Sequence, residues 1–381
     1  MNTVIRYTDF APHSRILVVS DIHGHADLLR RLLRKADYRP GEDYLILLGD
    51  LIEKGKESLG VLRAAMRLST ESPRVTVMMG NNDLWRLEQL IEPTPERDEI
   101  LLHTTAAFTR YWGSSTFAEM CAELGIPCPT LAELPAVRRA VLDAFAPEIE
   151  FWRGLPTVLS TPQYLFVHGG LPCAEDALET LREENAYTCL KYDNFRGDLA
   201  ARHAAPFSRP VIVGHWPVSL YRREITDLNP LIDRTYNVIS IDGGCGLQRH
   251  GQLNLLILSP DAAPAYLALD DLPTVAALDD QTPSPHSVSL LWGDNTVSRL
   301  PDAPAERLGY AWCAHTRTGR QLWIPEDDLY TQGGQLSCHE TTDYTLPVRA
   351  GDRLALVKEM PDAILVKRDG VVGWYYGRWQ R

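Results

Sequence analysis

The spacing of apolar residues changes along the chain, and each change predicts a different kind of structure. In the first half, short apolar runs alternate with segments of helical period. Arg15–Ser20 (RILVVS), Tyr44–Leu48 (YLILL) and Arg74–Met79 (RVTVMM) read as buried strands. Between them, Ala26–Ala36 and Glu57–Leu68 repeat apolar positions at helical spacing. Further strands are expected at Tyr164–Val167, Val211–Val213, Val238–Ile241 and Leu253–Leu258. Strands alternating with helices predict an α/β layered fold. Residues 84–153 keep a helical pattern without a strand signal, which predicts a helical insertion over one end of the sheet. Beyond residue 270 the helical period is lost. Ala277–Pro285 (ALDDQTPSP) is acidic and proline-rich, so 271–287 reads as a linker. The remainder, 288–381, consists of short alternating runs ending at turns such as Asp369-Gly370, which predicts an all-β part of one or two small antiparallel barrels.

Length fits this division. A chain of 381 residues exceeds one small core, so a catalytic domain over 1–270 is expected beside the smaller 288–381 domain. The composition, 45% hydrophobic and 23% charged, excludes a disordered or fibrous chain. The net charge of −12 excludes a general nucleic-acid coat. Residues 288–381 contribute only −1 of it. The acidity therefore sits in the first three quarters, where a cation site would use it. The seven cysteines are odd in number and show no CxxC spacing, which argues against a disulfide framework or a thiolate zinc site. The polar start, MNTVIRYTDFAPHSR, has no apolar signal core, and no run reaches the ~20 apolar residues of a membrane helix. A cytoplasmic location without membrane association is expected.

Polar clusters follow five of the strand-like runs: Asp21-Ile22-His23-Gly24, Gly49-Asp50 through Gly55, Gly80-Asn81-Asn82-Asp83, His168-Gly169-Gly170 and Gly214-His215-Trp216. Ligands of open α/β sheets bind beyond the carboxyl ends of strands, so these loops pool Asp21, His23, Asp50, Asn81, His168 and His215 at one rim. Oxygen and imidazole donors without thiolate suit borderline divalent ions such as Mn²⁺, Fe²⁺, Zn²⁺ or Co²⁺. Two such ions sharing a carboxylate would clamp an in-line phosphoryl displacement. Any one of these residues alone would ordinarily be a cap or a loop residue; the ordered set of six is what points to metal.

The five ordered motifs resemble the calcineurin-like metallophosphoesterase superfamily, in particular its phosphoprotein-phosphatase and diadenosine-tetraphosphatase branch. The likeness covers roughly residues 14–262 and extends to Ile241-Asp242-Gly243-Gly244-Cys245-Gly246 and the Leu253–Leu258 run. The resemblance implies a four-layer α/β/β/α sandwich and two divalent metals, with manganese the first choice. It implies that Asp21 and His23 hold one metal, that Asp50 bridges both, and that Asn81, His168 and His215 hold the other. A metal-bridging water would then be the nucleophile. Pro217, where the wider superfamily often has a second histidine, agrees with this branch. Two departures matter. Glu53-Lys54-Gly55 stands where the branch has Asp-Arg-Gly, so a point charge, Lys54, replaces a bidentate arginine toward substrate phosphate. Asn82 stands where the family carries its general-acid histidine, and an amide cannot supply a proton worth ~10²–10⁴-fold in rate.

Candidate catalytic residues are therefore Asn82, Asp83, Lys54 and His25, with His103 a further substitute acid; Lys54, Trp216 and Asp242 are candidate substrate contacts. Each has a plainer reading: Lys54 as a solvated lysine, Asp83 as a helix N-cap, Asp242 as a turn residue, Trp216 as a buried anchor, and His25 and His103 as surface or capping residues. Cys245 reads as packing. In the last quarter, Trp312–Leu329 and Tyr344–Trp374 resemble bacterial Src-homology-type small barrels, which implies a peptide or protein partner, or else a domain that only packs. The function expected is hydrolysis of a phosphomonoester or phosphoprotein by two metals. The alternatives are a nucleotide phosphoanhydride hydrolase of the diadenosine-tetraphosphatase type and a low-turnover phosphoprotein-binding module.

Overall fold

Strands buried on both faces split their side chains between two cores, and that period of two organises the first part of the molecule. The computed structural model describes all 381 residues. Its first elements are β1 (Ile5–Tyr7), β2 (Ile16–Val19), α1 (Ala26–Lys35), β3 (Tyr44–Leu47), α2 (Ser58–Glu71), β4 (Val75–Val77), α3 (Asn81–Ile91), α4 (Pro95–Trp112), α5 (Thr116–Glu123), α6 (Leu134–Ala144), α7 (Ala146–Arg153), β5 (Val158–Ser160) and β6 (Leu165–Val167). They continue with α8 (Tyr187–Leu190), α9 (Phe195–Ala201), β7 (Val211–Val213), β8 (Leu231–Asp233), β9 (Val238–Ser240), β10 (Leu253–Ser259) and β11 (Ala262–Leu269).

These form one compact unit of two sheets, in the orders β11-β10-β2-β3-β4 and β1-β5-β6-β7-β9-β8. Ile16 and Val18 of β2 join Ile46, Leu159, Phe166, Ile212 and Leu256 in a core between the sheets. Leu17 and Val19 point the other way, with Leu45 and Leu47, against α1, α2 and the insertion helices. Val167, Val211 and Val213 of the second sheet pack outward on Phe195 and Leu199. Three apolar interiors between successive layers make the unit a four-layer α/β/β/α sandwich. Each fully buried Leu, Ile or Phe side chain contributes ~1.5–3 kcal/mol.

The strands expected near residues 16, 44, 75, 165, 211, 238 and 253 all form. Four others carried no readable signal. β1 (IRY) and β8 (LID) are sheet-edge strands that mix polar with apolar residues, β5 (VLS) is brief, and the outer edge strand β11 is mostly exposed and alanine-rich. Residues 84–153 are helical as expected, and Phe117, Met120, Leu134, Val141 and Trp152 join the outer core of the first sheet. No helix is long and apolar enough to cross a membrane.

The second unit comprises Pro217–Asn229, Gln248–Gln252 and Asp271–Arg381. Its strands are β12 (Thr274–Ala277), β13 (Ser289–Leu290), β14 (Val297–Arg299), β15 (Tyr310–His315), β16 (Gln321–Pro325), β17 (Leu329–Gln332), β18 (Gln335–Cys338), β19 (Thr341–Thr342), β20 (Arg353–Glu359), β21 (Ile364–Arg368), β22 (Val371–Tyr375) and β23 (Trp379–Gln380). All their ladders are antiparallel, as the alternating pattern predicts, but they do not close into a barrel. The five-stranded sheet runs β22-β21-β20-β12-β23, and its β22 edge is met by isolated bridges from Asp227 and Thr345 instead of by β23. The stretch 271–287 is also not a bare linker. It contains β12, and Gln281 donates from Nε2 to the carbonyls of Leu346 and Trp374. Asp369 and Gly370, at φ 51° and 80°, make the β21–β22 turn, where two left-handed residues match the strand twist.

The second unit buries His250 beside Lys367, whose ammonium donates to the carbonyls of His250 and Gly251. Burial, with the charges of Lys367 and Arg249, pushes the imidazole down to about 3. Glu340, 3.8 Å from His250 Nε2, is pushed up by its own burial. Between the ordinary histidine value of ~6.5 and that depressed value, the unfolded chain binds a proton at His250 that the folded unit does not. This contribution is complete above pH ~6.5 and is lost as pH falls through the window. His250→Gln is therefore expected to flatten the loss of stability between pH ~7 and ~4.5, read from urea midpoints; identical slopes in parent and variant would count against it.

Candidate metal centre

The parallel strands β2, β3 and β4 of one sheet and β6, β7 and β9 of the other end at a common rim. The loops leaving them carry the expected donors, as the strand-end rule requires. The backbone there is forced. Asp21, His23, Asp50, Glu53, Lys54 and His215 have φ between 47° and 64°, six of the twelve non-glycine residues in the left-handed region. Such residues cost ~1–3 kcal/mol each and persist only where surrounding structure over-determines them, so half of this strain is spent at one site. Close approach fixes two glycines. A Cβ on Gly80 would overlap the backbone nitrogen and Oδ1 of Asp50, and one on Gly214 would overlap Ser20 Oγ and Asp21 Oδ2.

Asp21, Asp50 and His168 are buried with donor atoms within 4.8 Å of one another. His168 Nδ1 faces the Leu48 carbonyl at 2.9 Å; its Nε2 lies 3.1 Å from Asn81 Oδ1 and 3.4 Å from Asp50 Oδ1. These neighbours are all oxygen acceptors. Burial opposes a charge on the ring, but Asp50 and Asp21 outweigh it and hold the imidazole up to about 10. His23 differs. Its Nδ1 faces the Ile52 carbonyl at 3.1 Å, and Nε2 points to Asp50 Oδ2 at 3.6 Å and Asp21 Oδ1 at 4.0 Å. Burial and Lys54 push it down to about 3, leaving a neutral imidazole with a lone pair on Nε2. His215 Nδ1 lies 2.7 Å from Asn81 Oδ1, and Nε2 lies 2.9 Å from Asp193 Oδ1.

This donor set fits divalent cations. Two buried carboxylates face each other, and Asp21 Oδ1 has no hydrogen-bond partner. An unpaired buried oxyanion is costly, and a cation at the convergence of oxygen and imidazole donors removes the cost. All six expected ligands meet there. Asp193 was not readable as a partner: its carboxylate orients His215 from 22 residues away, as metal-site histidines are commonly oriented.

The other expected site residues take varied places. Asn82 lies beside Asp50, donating from its backbone to Oδ1 at 2.8 Å and from Nδ2 to Oδ2 at 2.5 Å. Asp83 is not a free acid. Its two oxygens accept from the Gly80 and Leu51 N–H groups, capping α3, although burial and Asp50 push its carboxyl up to about 7. Asp242 is fully buried; its Oδ1 accepts from the Gly244 N–H, and its Oδ2 has no hydrogen-bond partner. Lys54 Nζ stands 3.5 Å from His23 Nε2. His25 is half-buried with Nδ1 on the Ile22 carbonyl, and its Cε1 adjoins Gly246. His103 is exposed on α4, Trp216 is half-buried and Cys245 is buried.

Glu53, noted only as a departure from the family pattern, has a structural partner. It is wholly buried with Arg86 of α3, their Oε1 and Nε 2.7 Å apart, and Arg86 reaches on to Gln89. Thr116 at the start of α5 donates to the same Glu53 oxygen at 3.3 Å. The pair joins the Asp50 loop to the helix that begins with Asn81 and Asn82.

A family description, calcineurin-like phosphoesterase, matches residues 14–238, and the chain belongs to this family of phosphate-ester hydrolases. The family is dinuclear-metal-dependent, in keeping with the Asp21–Asp50–His168 group. A symmetrical bis(5'-nucleosyl)-tetraphosphatase of Aeromonas hydrophila is 38% identical over 98 residues, 22% of this chain and 34% of the relative. The chain spans about a third of the length of the curated relatives it matches. Among solved structures, a protein serine/threonine phosphatase from Saccharomyces cerevisiae is similar at 15% identity and TM-score 0.43, over 71% of this chain and 84% of that one. A metallophosphoesterase from Sphaerobacter thermophilus is similar at 17% identity and TM-score 0.36, over 68% and 88%.

Removing one member of a buried ion pair leaves an uncompensated charge and costs about 3–5 kcal/mol. Arg86→Met is expected to lower stability by that amount. Adding Glu53→Leu is expected to recover part of the loss, because the stranded carboxylate goes with it. Urea denaturation checks both, and a double variant as unstable as the sum of its singles would show that the two residues do not act as a pair.

Proposed function

We propose that this chain hydrolyses phosphate esters and anhydrides with two divalent metals, and that it favours leaving groups that depart without a proton from the protein. The observation that carries the first half is the buried convergence of Asp21, Asp50 and His168, with Asn81 Oδ1 3.1 Å from His168 Nε2. Asp21 and His23 would hold one cation, Asp50 both, and Asn81, His168 and His215 the other, with manganese the first choice. Bound there, divalent cations neutralise phosphoryl oxygens and make water acidic enough to attack at neutral pH. Lys54 adds a positive charge beside His23 for a substrate phosphate. Asp193 keeps His215 in one orientation.

The second half rests on Asn82. Both its backbone and its amide donate to Asp50, so it steadies the shared carboxylate and has no proton to deliver. Aryl phosphomonoesters, including phosphotyrosine, then suit the site better than alkyl ones. Nucleotide phosphoanhydrides suit it as well, because a phosphate leaving group is already stable as an anion; the matched tetraphosphatase relatives support this second reading. His25, beside Gly246, is the nearest substitute donor. The seven cysteines, none of them in a disulfide, support a reducing, cytoplasmic setting. A peptide or protein partner for the second unit belongs to the same proposal.

Two measurements test this. Mn²⁺-dependent hydrolysis of p-nitrophenyl phosphate is expected to fall to background in Asp50→Asn and after chelation; turnover that survives both would sink the two-metal reading. Across a series of aryl and alkyl phosphates, kcat/KM is expected to fall steeply as the leaving group becomes more basic. Asn82→His should raise alkyl phosphate turnover by ~10²-fold while barely changing p-nitrophenyl phosphate. A flat dependence in the parent would show that another residue already supplies the proton.

A further inference from the structure

The helical insertion carries a row of aromatic rings that the metal chemistry leaves unused. Trp85 lies one helical turn beyond Asn82 on α3, and Phe108, Tyr111 and Trp112 close the last turn of α4. The centroids of Trp85 and Phe108 are 6.1 Å apart, those of Phe108 and Trp112 5.0 Å, and those of Tyr111 and Trp112 6.0 Å. One side of the row is packed: the buried Arg86 guanidinium stands 4.9 Å from the Trp85 ring centre and 6.0 Å from that of Phe108. The other side is open. Trp85, Phe108 and Trp112 are only half-buried, and Tyr111 is 73% exposed. Rings that served only as core would not be left in this state.

The row is tied to the metal loops. Trp112 Nε1 donates to the Gly246 carbonyl at 2.8 Å. A Cβ on Gly246 would stand 3.1 Å from both His23 Cβ and His25 Cε1, and 2.9 Å from the Lys54 carbonyl. Gly113, just after Trp112, lies against the Lys56 side chain. Flat apolar faces, two lysines and a metal ligand thus sit within one loop's reach of each other. Every base has a π-face that stacks on aromatic rings, and a base carried on a polyphosphate also needs the cations.

We propose that the Trp85–Phe108–Tyr111–Trp112 row is a base-stacking platform that selects nucleoside polyphosphates for the centre. This rests on the phosphoesterase reading and names the substrate class within it. The rings contact substrate and set specificity; they take no part in bond breaking.

The test compares kcat/KM for diadenosine tetraphosphate with kcat/KM for inorganic tripolyphosphate, in the full chain with Mn²⁺. Tyr111→Ala is expected to lower that ratio by about 5- to 100-fold, the range of base stacking. Because Tyr111 is so exposed, this variant should fold; Phe108→Leu provides a second reading. Independently of turnover, AMP added without metal should quench tryptophan fluorescence, with a smaller amplitude in Trp112→Phe. Quenching without hydrolysis of any phosphate substrate would sustain the platform and sink the phosphoesterase reading. Hydrolysis with an unmoved ratio and no quenching would overturn the platform alone. A loss confined to phosphotyrosine peptides in Tyr111→Ala would overturn it too, since the row would then hold a peptide side chain.

Discussion

Asp50 is the group around which the rest of the first unit is arranged. Its carboxylate is buried, receives two hydrogen bonds from Asn82, and lies between His23 at 3.6 Å and His168 at 3.4 Å. An ionised carboxylate cannot remain in a dry interior without such company. The companions come from three different loops, so burying this one charge specifies how those loops meet. Asp21 adds a second buried carboxylate and sharpens the demand for positive charge. The oxygens and nitrogens of Asp21, Asp50 and His168 lie close enough together to hold a cation that would meet that demand.

The strain follows from that constraint. Ligands on successive loops can converge only if the backbone turns sharply at the strand ends, so Asp21, His23, Asp50 and His215 accept left-handed conformations. Gly80 and Gly214 leave room for the carboxylates where any side chain would collide. The stored cost is offset by rigid support from two packed sheets and from the Glu53–Arg86 pair, which couples the Asp50 loop to α3 and to the start of α5. Site and insertion are therefore built together. The helix that begins with Asn81 also carries Arg86 and Trp85, on which the aromatic row leans.

Much of this was legible in the chain itself. Apolar runs revealed seven strands, and the polar clusters after five of them supplied the six residues that the fold gathers at one rim. β1, β5 and β8 were not readable, because IRY, VLS and LID hold no unbroken apolar run and their existence depends on neighbours supplying the ladder. Asp193 and Arg86 were invisible as partners because nothing local distinguishes an aspartate or arginine that finds its counterpart 22 or 33 residues away. Asp83 shows the converse: a carboxylate beside a motif looks chemical until both its oxygens are seen to accept from backbone N–H groups.

The second unit shows the same boundary. Its alternating runs and the Asp369-Gly370 turn sufficed for antiparallel strands, since hairpin chemistry is local. Whether those strands close into a barrel depends on which edges meet, and here the β22 edge meets Asp227 and Thr345 instead of β23. Residue type and short-range order by themselves determined the layered fold and which polar residues follow its strands. Only tertiary structure decided which carboxylates converge and which cap a helix, where buried charges find partners, and which aromatic faces stay open. Those properties arise from contacts between segments far apart in the chain, and their energies exist only once the segments are packed.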